Sequence, residues 1–389
     1  MSYAQHRKII DADSHVIELD DFLDRAATPE DKKLLPKMSD QKELPVTQAG
    51  LDRGRELLVK RKEDPETMAK FEAALLDNTK SGWNRLGAFD SKERSRVLDL
   101  FGFEMQWILP TFAFHQVAHV DSPNVLEAGA RSLNSAMGGF CSSDDRLKAI
   151  GYIPLSLGPE SAIDLMKKGF EDGCYTFMVD TNEPNAKSKS FTHPDFDKVW
   201  ASFEKAEVPF VCHVAVNGHY RAVPESFKNN GKDSLELGGD APAGELGLMT
   251  INNSAEIFLS AMIFDGVFSR HPGLRAISME HGAFWLPSWL QALDYTASLF
   301  RRKRKYDQMP SEVAKKHIKV SPFAGEPVGW IIENVGSGML VFASDYPHPE
   351  GTSDPIGKFE AKMKNCDEAT MEAFYHGNME ELMDITLRK

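Results

Sequence analysis

The residues best able to do chemistry sit at the start of the chain. Arg7-Lys8-Ile9-Ile10 leads into Asp11-Ala12-Asp13-Ser14-His15-Val16, an apolar pair followed by Asp-x-Asp-x-His. In extended backbone alternate residues share a face, so 11, 13 and 15 would present two carboxylates and an imidazole in one direction. Such a set can hold a divalent cation or move protons. The same polar run could also cap a following helix, and the elements around it have to decide.

Those elements alternate. Strand 1 (about 7–13) is followed by a long charged region, 18–90, with helical patches at 52–62 and 66–76 and prolines at 29, 36, 45 and 65. It is far too long for an ordinary connection and reads as an inserted lid or cap. Short apolar strands then follow at 104–109, 147–153, 174–179, 209–213, 274–279, 317–321 and 339–344, and helices at 90–101, 124–140, 159–171, 195–206, 254–268, 284–300 and 328–335 accompany them. Each return between parallel strands needs a crossover helix, and eight such units close a barrel. An open doubly wound sheet would place a Gly-rich phosphate turn after strand 1, and none is there. The expectation is an α/β protein, a TIM-like (β/α)8 barrel over 1–389 in a single domain, with 18–90 as a helical cap after strand 1.

In such a barrel the carboxyl ends of the strands converge on one mouth. Asp13 and His15 fall at the end of strand 1, His213 at the end of strand 5, His281 at the end of strand 6 and Asp345 at the end of strand 8. Two histidines and two carboxylates make a nitrogen and oxygen site suited to Zn, Mn or Fe in the +2 state. His281 and Asp345 are then candidates for proton transfer.

The residues at these strand ends carry a family resemblance. Ile10-Asp11-Ala12-Asp13-Ser14-His15 resembles the opening of the amidohydrolase-related family, the branch of the amidohydrolase superfamily that includes aminocarboxymuconate semialdehyde decarboxylase and the hydroxybenzoate decarboxylases. Arg146-Leu147-Lys148-Ala149-Ile150 and Val208-Pro209-Phe210-Val211-Cys212-His213 are similar to its third and fifth strands. Glu280-His281-Gly282-Ala283-Phe284-Trp285-Leu286-Pro287 is similar to its sixth. Phe342-Ala343-Ser344-Asp345-Tyr346-Pro347-His348-Pro349-Glu350-Gly351 is the most distinctive match. The resemblance covers about 100–389 plus strand 1. It implies one divalent metal ion held by Asp13, His15, His213 and Asp345, with His281 as a catalytic or ligand-orienting histidine. Asp13 stands where the family more often has histidine, and that harder donor favours Mn or Fe over Zn.

The reaction implied first is non-oxidative decarboxylation of an aromatic or unsaturated carboxylic acid. The alternative is hydrolysis of a small amide, ester or lactone, with Asp345 taking a proton from water. Oxygen chemistry and a catalytically inactive partner subunit stand further back. His115, Trp285 and His348 are the expected substrate contacts, and Trp83, Phe112, Phe114 and Trp330 are further candidates for apolar walls. Arg53, Arg55, Arg61 and Arg85 are the cap residues able to clamp a carboxylate. His119 and His219 read as ordinary loop or surface residues. Glu18 and Glu280 could each orient a ligand histidine. Because neighbouring strand residues point oppositely, Glu280 and His281 are not expected to face the barrel axis together.

Composition narrows the partners. A net charge of −13 argues against a nucleic-acid backbone, and the basic run 301–305 reads as the solvated end of a helix. Cys141, Cys174, Cys212 and Cys366 are too far apart for a zinc knuckle and read as reduced thiols. The N-terminus has no apolar signal region, and no stretch reads as a membrane span. A cytoplasmic enzyme is expected, acting on a small molecule, with no nucleic acid and no membrane. It is expected to form a homodimer or higher homo-oligomer through the helices after strands 6 and 8.

Overall fold

The computed structural model describes residues 2–38, 47–77, 82–118, 120–181, 187–214, 222–233, 235, 244–349 and 351–384. Seven parallel strands pair in sequence order: β1 (Ile10–His15), β2 (Met105–Leu109), β3 (Leu147–Ile153), β4 (Cys174–Val179), β5 (Phe210–His213), β6 (Ala276–Met279) and β7 (Ile318–Val320). Their near-continuous apolar runs are what a sheet buried on both faces requires. All six residues of β1 are buried, the acidic ones included.

The eighth position is occupied by residues 339–346, but as a loose closure rather than a ladder. Val341 N donates to Val320 O (3.1 Å), Ala12 N to Phe342 O (3.0 Å) and Asp345 N to Asp13 O (2.9 Å). Among the described residues, two isolated parallel bridges form there, Val320 with Leu340 and Ser14 with Tyr346. The physical reason is local. Phe342 N is drawn outward to Phe374 O (3.0 Å), and Asp345 turns into the left-handed region at φ 55°. The sheet therefore curls into a barrel whose last seam is held by single hydrogen bonds.

The outer layer follows the expected rhythm. Helix α3 (Ser91–Phe101) starts at Asp90, whose carboxylate accepts from Lys92 N and Glu93 N, and ends at Gly102 in the left-handed conformation. Next come α4 (Phe112–Ala118), α5 (Pro123–Cys141), α6 (Pro159–Glu171), α7 (Asp197–Ala206), α8 (Gly244–Met249), α9 (Asn253–Phe264), α10 (Leu286–Phe300), α11 (Pro310–His317) and α12 (Val328–Val335). The single helix expected at 254–268 is broken: Gly266 at φ 76° ends α9 and starts a separate turn of helix. The 21-residue stretch 244–264 is long and apolar enough to cross a membrane by length and composition alone. Here it folds as α8 and α9 with turn residues between them.

Between β1 and β2 the chain forms α1 (Gln48–Glu63) and α2 (Pro65–Ala73). Arg61, buried under this segment, makes a two-pronged pair with Glu93 of α3 (2.8 and 2.9 Å) and stacks over Phe71. That pairing fastens α1 to the barrel wall. It also commits Arg61 to structure.

Candidate active site at the barrel mouth

The alternation of β1 sends Asp11, Asp13 and His15 to the barrel interior at three depths. Asp11, the deepest, is a strut: it accepts from Gln106 Nε2 (2.9 Å), Ser344 Oγ (2.6 Å) and Ser344 N (2.8 Å). Burial pushes its carboxyl up to about 6, against the pull of those donors. One layer up, Asp13 Oδ1 lies 3.1 Å from His15 Nε2 and 3.9 Å from His213 Nε2. Burial would raise Asp13, but the imidazoles of His15, His213 and His348 outweigh it and hold its carboxyl below the ordinary value.

The loop after β2 orients the histidines. His15 Nδ1 lies 3.3 Å from Pro110 O, an acceptor only, so Nδ1 carries a hydrogen and Nε2 faces Asp13. Thr111 Oγ1 is 2.9 Å from His348 Nε2 and 3.3 Å from His15 Nδ1, and the two rings stack at 3.9 Å. Glu18 secures this loop by accepting from Thr111 N and Phe112 N, each at 2.8 Å. Glu18 therefore reaches the histidines through Thr111 and does not touch them. Burial lifts its carboxyl to about 7 despite those amides.

On the opposite side, His281 Nδ1 pairs with Ser278 Oγ (3.0 Å). Burial and the neighbouring His213 depress the His281 imidazole to about 3, with Asp13 opposing. Glu280 does not obey the alternation that would have turned it away. It sits at φ 58°, so its carboxylate swings in and places Oε2 3.1 Å from His213 Nε2. Glu280 and His281 thus both serve the mouth, contrary to expectation, because a left-handed residue breaks the period of two. Glu326 holds the next loop, accepting from Ala283 N, Phe284 N and Phe323 N. Gly282 is required beneath it, since at φ 63° a Cβ would meet Glu326 at 2.8 Å.

Asp345, at the closing segment, lies 3.9 Å from His15 Nε2 and 3.0 Å from His348 Nδ1. Among the described residues, donor atoms mutually within 4.8 Å form two overlapping sets, Asp13–His15–His213 and His15–Asp345–His348. The residues present fit a metal ion. His15 Nε2 and Asp13 Oδ1, both buried and making no hydrogen bond of acceptable geometry among the described residues, face each other across 3.1 Å. A divalent cation bound beside them would engage both atoms, the role that a proton on His15 Nε2 otherwise fills.

Other expected residues are placed as follows. The Trp83 ring meets Phe112 and His348 edge-on, each at 5.1 Å, so the segment after α2 walls the mouth. His115 is half-buried on α4 with its ring against Phe114. Trp285 spends its indole N–H on Gly282 O and packs on Trp289, and Trp330 is 48% exposed on α12. Arg53 pairs with Glu56 and Arg55 with Asp20 and Asp21, while Arg85 lies over the Tyr346 ring beside Asp345. His119, His219 and Glu350 lie outside the described residues. A cleft of about 560 Å³ lies away from these donors, lined by Leu155, Pro159, Lys189, Phe191 and Lys198 among others.

A parallel α/β barrel with histidines and carboxylates gathered at the carboxyl ends of its strands defines the class. The chain belongs to the amidohydrolase family, whose model matches residues 10–385. No curated protein matches the sequence significantly. Among solved structures it is similar to an amidohydrolase from Mycobacterium avium subsp. paratuberculosis K-10 (20% identity, TM-score 0.74, covering 97% of this chain and 99% of that one). It is also similar to a dihydroxybenzoic acid decarboxylase from Polaromonas sp. JS666 with bound manganese (16%, TM-score 0.62, 98% and 98%). A third likeness is to a manganese-bound 5-carboxyvanillate decarboxylase from Novosphingobium aromaticivorans DSM 12444 (15%, TM-score 0.63, 98% and 97%). At these identities the likeness concerns the fold.

Proposed function

We propose that this chain is a metal-dependent carboxy-lyase that removes CO2 from a small aromatic or unsaturated carboxylic acid. One observation carries the reading: a buried Asp13–His15–His213 set with Asp345 and His281 beside it and an aromatic wall of Trp83 and Phe112. The manganese-bound decarboxylases of like fold add support, although their chemistry is theirs.

A divalent cation held by Asp13, His15, His213 and Asp345 would supply Lewis acidity toward the substrate carboxylate and a neighbouring oxygen. The chain's own residues do the rest. Trp83 and Phe112 flank a flat substrate and exclude water. Arg85 lies over the ring of Tyr346, the residue after Asp345, and is the candidate partner for a negatively charged substituent. His281, held through Nδ1 by Ser278, or Asp345, once it has taken up a proton from solvent or from a hydroxyl of the substrate, passes that proton to the carbon that bears the carboxylate. The bond to the carboxylate then breaks, its electron pair returns to the unsaturated system, and CO2 leaves.

The test is CO2 release from Mn-loaded protein incubated with dihydroxybenzoates, 5-carboxyvanillate and related unsaturated acids, alongside amides, esters and lactones. CO2 formation that disappears on chelation is the expected result. Cleavage of the amides or esters with no CO2 from any acid would overturn the lyase reading in favour of a hydrolase.

A further inference from the structure

The run Arg301-Arg302-Lys303-Arg304-Lys305, expected to be the solvated end of a helix, follows α10 directly. Lys303 N (2.8 Å) and Arg304 N (3.0 Å) both donate to Phe300 O, so the chain wraps the last turn of α10. All five residues are exposed, and among the described residues none of their side chains makes an ion pair or a hydrogen bond. Arg304 stacks over the Tyr306 ring at 5.3 Å. Its neighbour Arg270 is matched by Asp197 (2.8 Å), yet Arg270 Nη1 and Arg304 Nη2 both lie within 4.0 Å of where a Cβ on Gly266 would sit. Lys315 and Lys316, in the last turn of α11, are exposed at the same amino-terminal end of the barrel. The dipole of α10 favours cations at its end, but that effect fades within one turn and does not account for so many.

Apolar side chains adjoin the run. Tyr295 (66% exposed) and Leu299 (63%) share one stripe of α10, and Phe300 (53%) ends it. Beside them a hollow of about 120 Å³, lined by Gly266, Ser269, Arg304, Lys305 and Tyr306 and also by Asp307, is roomy enough for a phosphate group. We infer that this tip docks on an anionic lipid surface, the run meeting phosphate headgroups while Leu299 and Phe300 enter the interfacial layer. A bilayer interface accepts clustered cations and apolar side chains together, and docking of this kind needs no membrane-spanning segment. A nucleic-acid backbone calls for cations spread along a path, whereas these are consecutive. A second copy meeting the tip about a twofold axis would bring the run against itself. Charges beyond about 8 Å are screened at physiological ionic strength, so the acidity of the rest of the chain does not cancel the run. Because α10 leads away from the mouth, docking at its end leaves the mouth open. The inference stands apart from the reaction proposed above.

The test is co-sedimentation of the full chain with vesicles of phosphatidylcholine alone or mixed with phosphatidylglycerol, at low and at high salt. Association with the anionic vesicles only, weakened by salt, is the expected result. Arg302→Glu/Arg304→Glu/Lys305→Glu should weaken it on the order of a hundredfold, and Leu299→Ser/Phe300→Ser roughly tenfold. Circular dichroism establishes that each variant is folded. No association of the wild type with anionic vesicles at low salt overturns the inference, as does equal binding to neutral vesicles or undiminished binding by the charge-reversed variant. Full displacement from the vesicles by soluble glycerol phosphate would assign the hollow to a free phosphate ester instead. A wild type that sediments as a dimer, with Leu299→Ser/Phe300→Ser a monomer, would give the face to a second copy and overturn lipid docking.

Discussion

Two residues at the mouth, Glu280 and Asp345, have left-handed backbones, a conformation that costs a non-glycine residue about 1–2 kcal/mol. Both carry carboxylates directed at imidazoles, so the strain falls at the proposed site. In urea unfolding of the metal-free protein, Glu280→Gly should be more stable than Glu280→Ala by about 1 kcal/mol, because glycine alone escapes the penalty. An Ala variant equal to or better than Gly would show that position 280 carries no such strain. Asp345→Asn should lose most turnover with little change in melting temperature, since asparagine tolerates the same backbone but offers no carboxylate. Near-normal turnover would remove Asp345 from the chemistry. Asp13, His15, His213, His281 and Asp345 could be singled out in the sequence because each falls at or just past the end of an apolar run. Glu280 was not, since reading it depends on alternation and its φ breaks alternation. The part played by His348 was only half legible, because the turn after Asp345 decides where its ring goes.

Strand and helix boundaries were mostly legible from apolar runs and from Pro and Asp starts, as β3, β4 and α6 illustrate at 147–153, 174–179 and 159–171. Loops were not, since their conformations rest on long-range acceptors such as Glu18 and Glu326. Glu18 makes the β2 to α4 loop sensitive to pH. Burial raises its carboxyl from an ordinary value of 4.5 to about 7, so folding favours the protonated acid. The stability it contributes is full below pH 4.5 and is lost as the pH rises through about 7. Relative to Glu18→Gln, which cannot titrate, the wild type should lose on the order of 3 kcal/mol across that interval. Parallel pH profiles for the two proteins in denaturant unfolding would show that Glu18 does not titrate in this way.

At the scale of the whole molecule, the barrel was legible from eight alternating units, while the looseness of its last seam was not. Single hydrogen bonds close that seam, and Asp11 joins β1, β2 and Ser344 across it. Asp11→Ala leaves Gln106 and Ser344 without this shared acceptor and should cost on the order of 3 kcal/mol. An unchanged unfolding midpoint would mean that closure does not depend on this strut. The arrangement explains how four distant parts of the chain, near 13, 213, 280 and 345, meet at one place: each follows a strand whose end the barrel brings to the same rim. The most direct measurement is the metal content of the freshly purified wild type against the Asp13→Ala/His213→Ala double variant. Bound Mn, Fe or Zn is expected in the wild type, and its loss from a folded variant. Metal retained by that variant, or a folded wild type that takes up none, would contradict the site assignment.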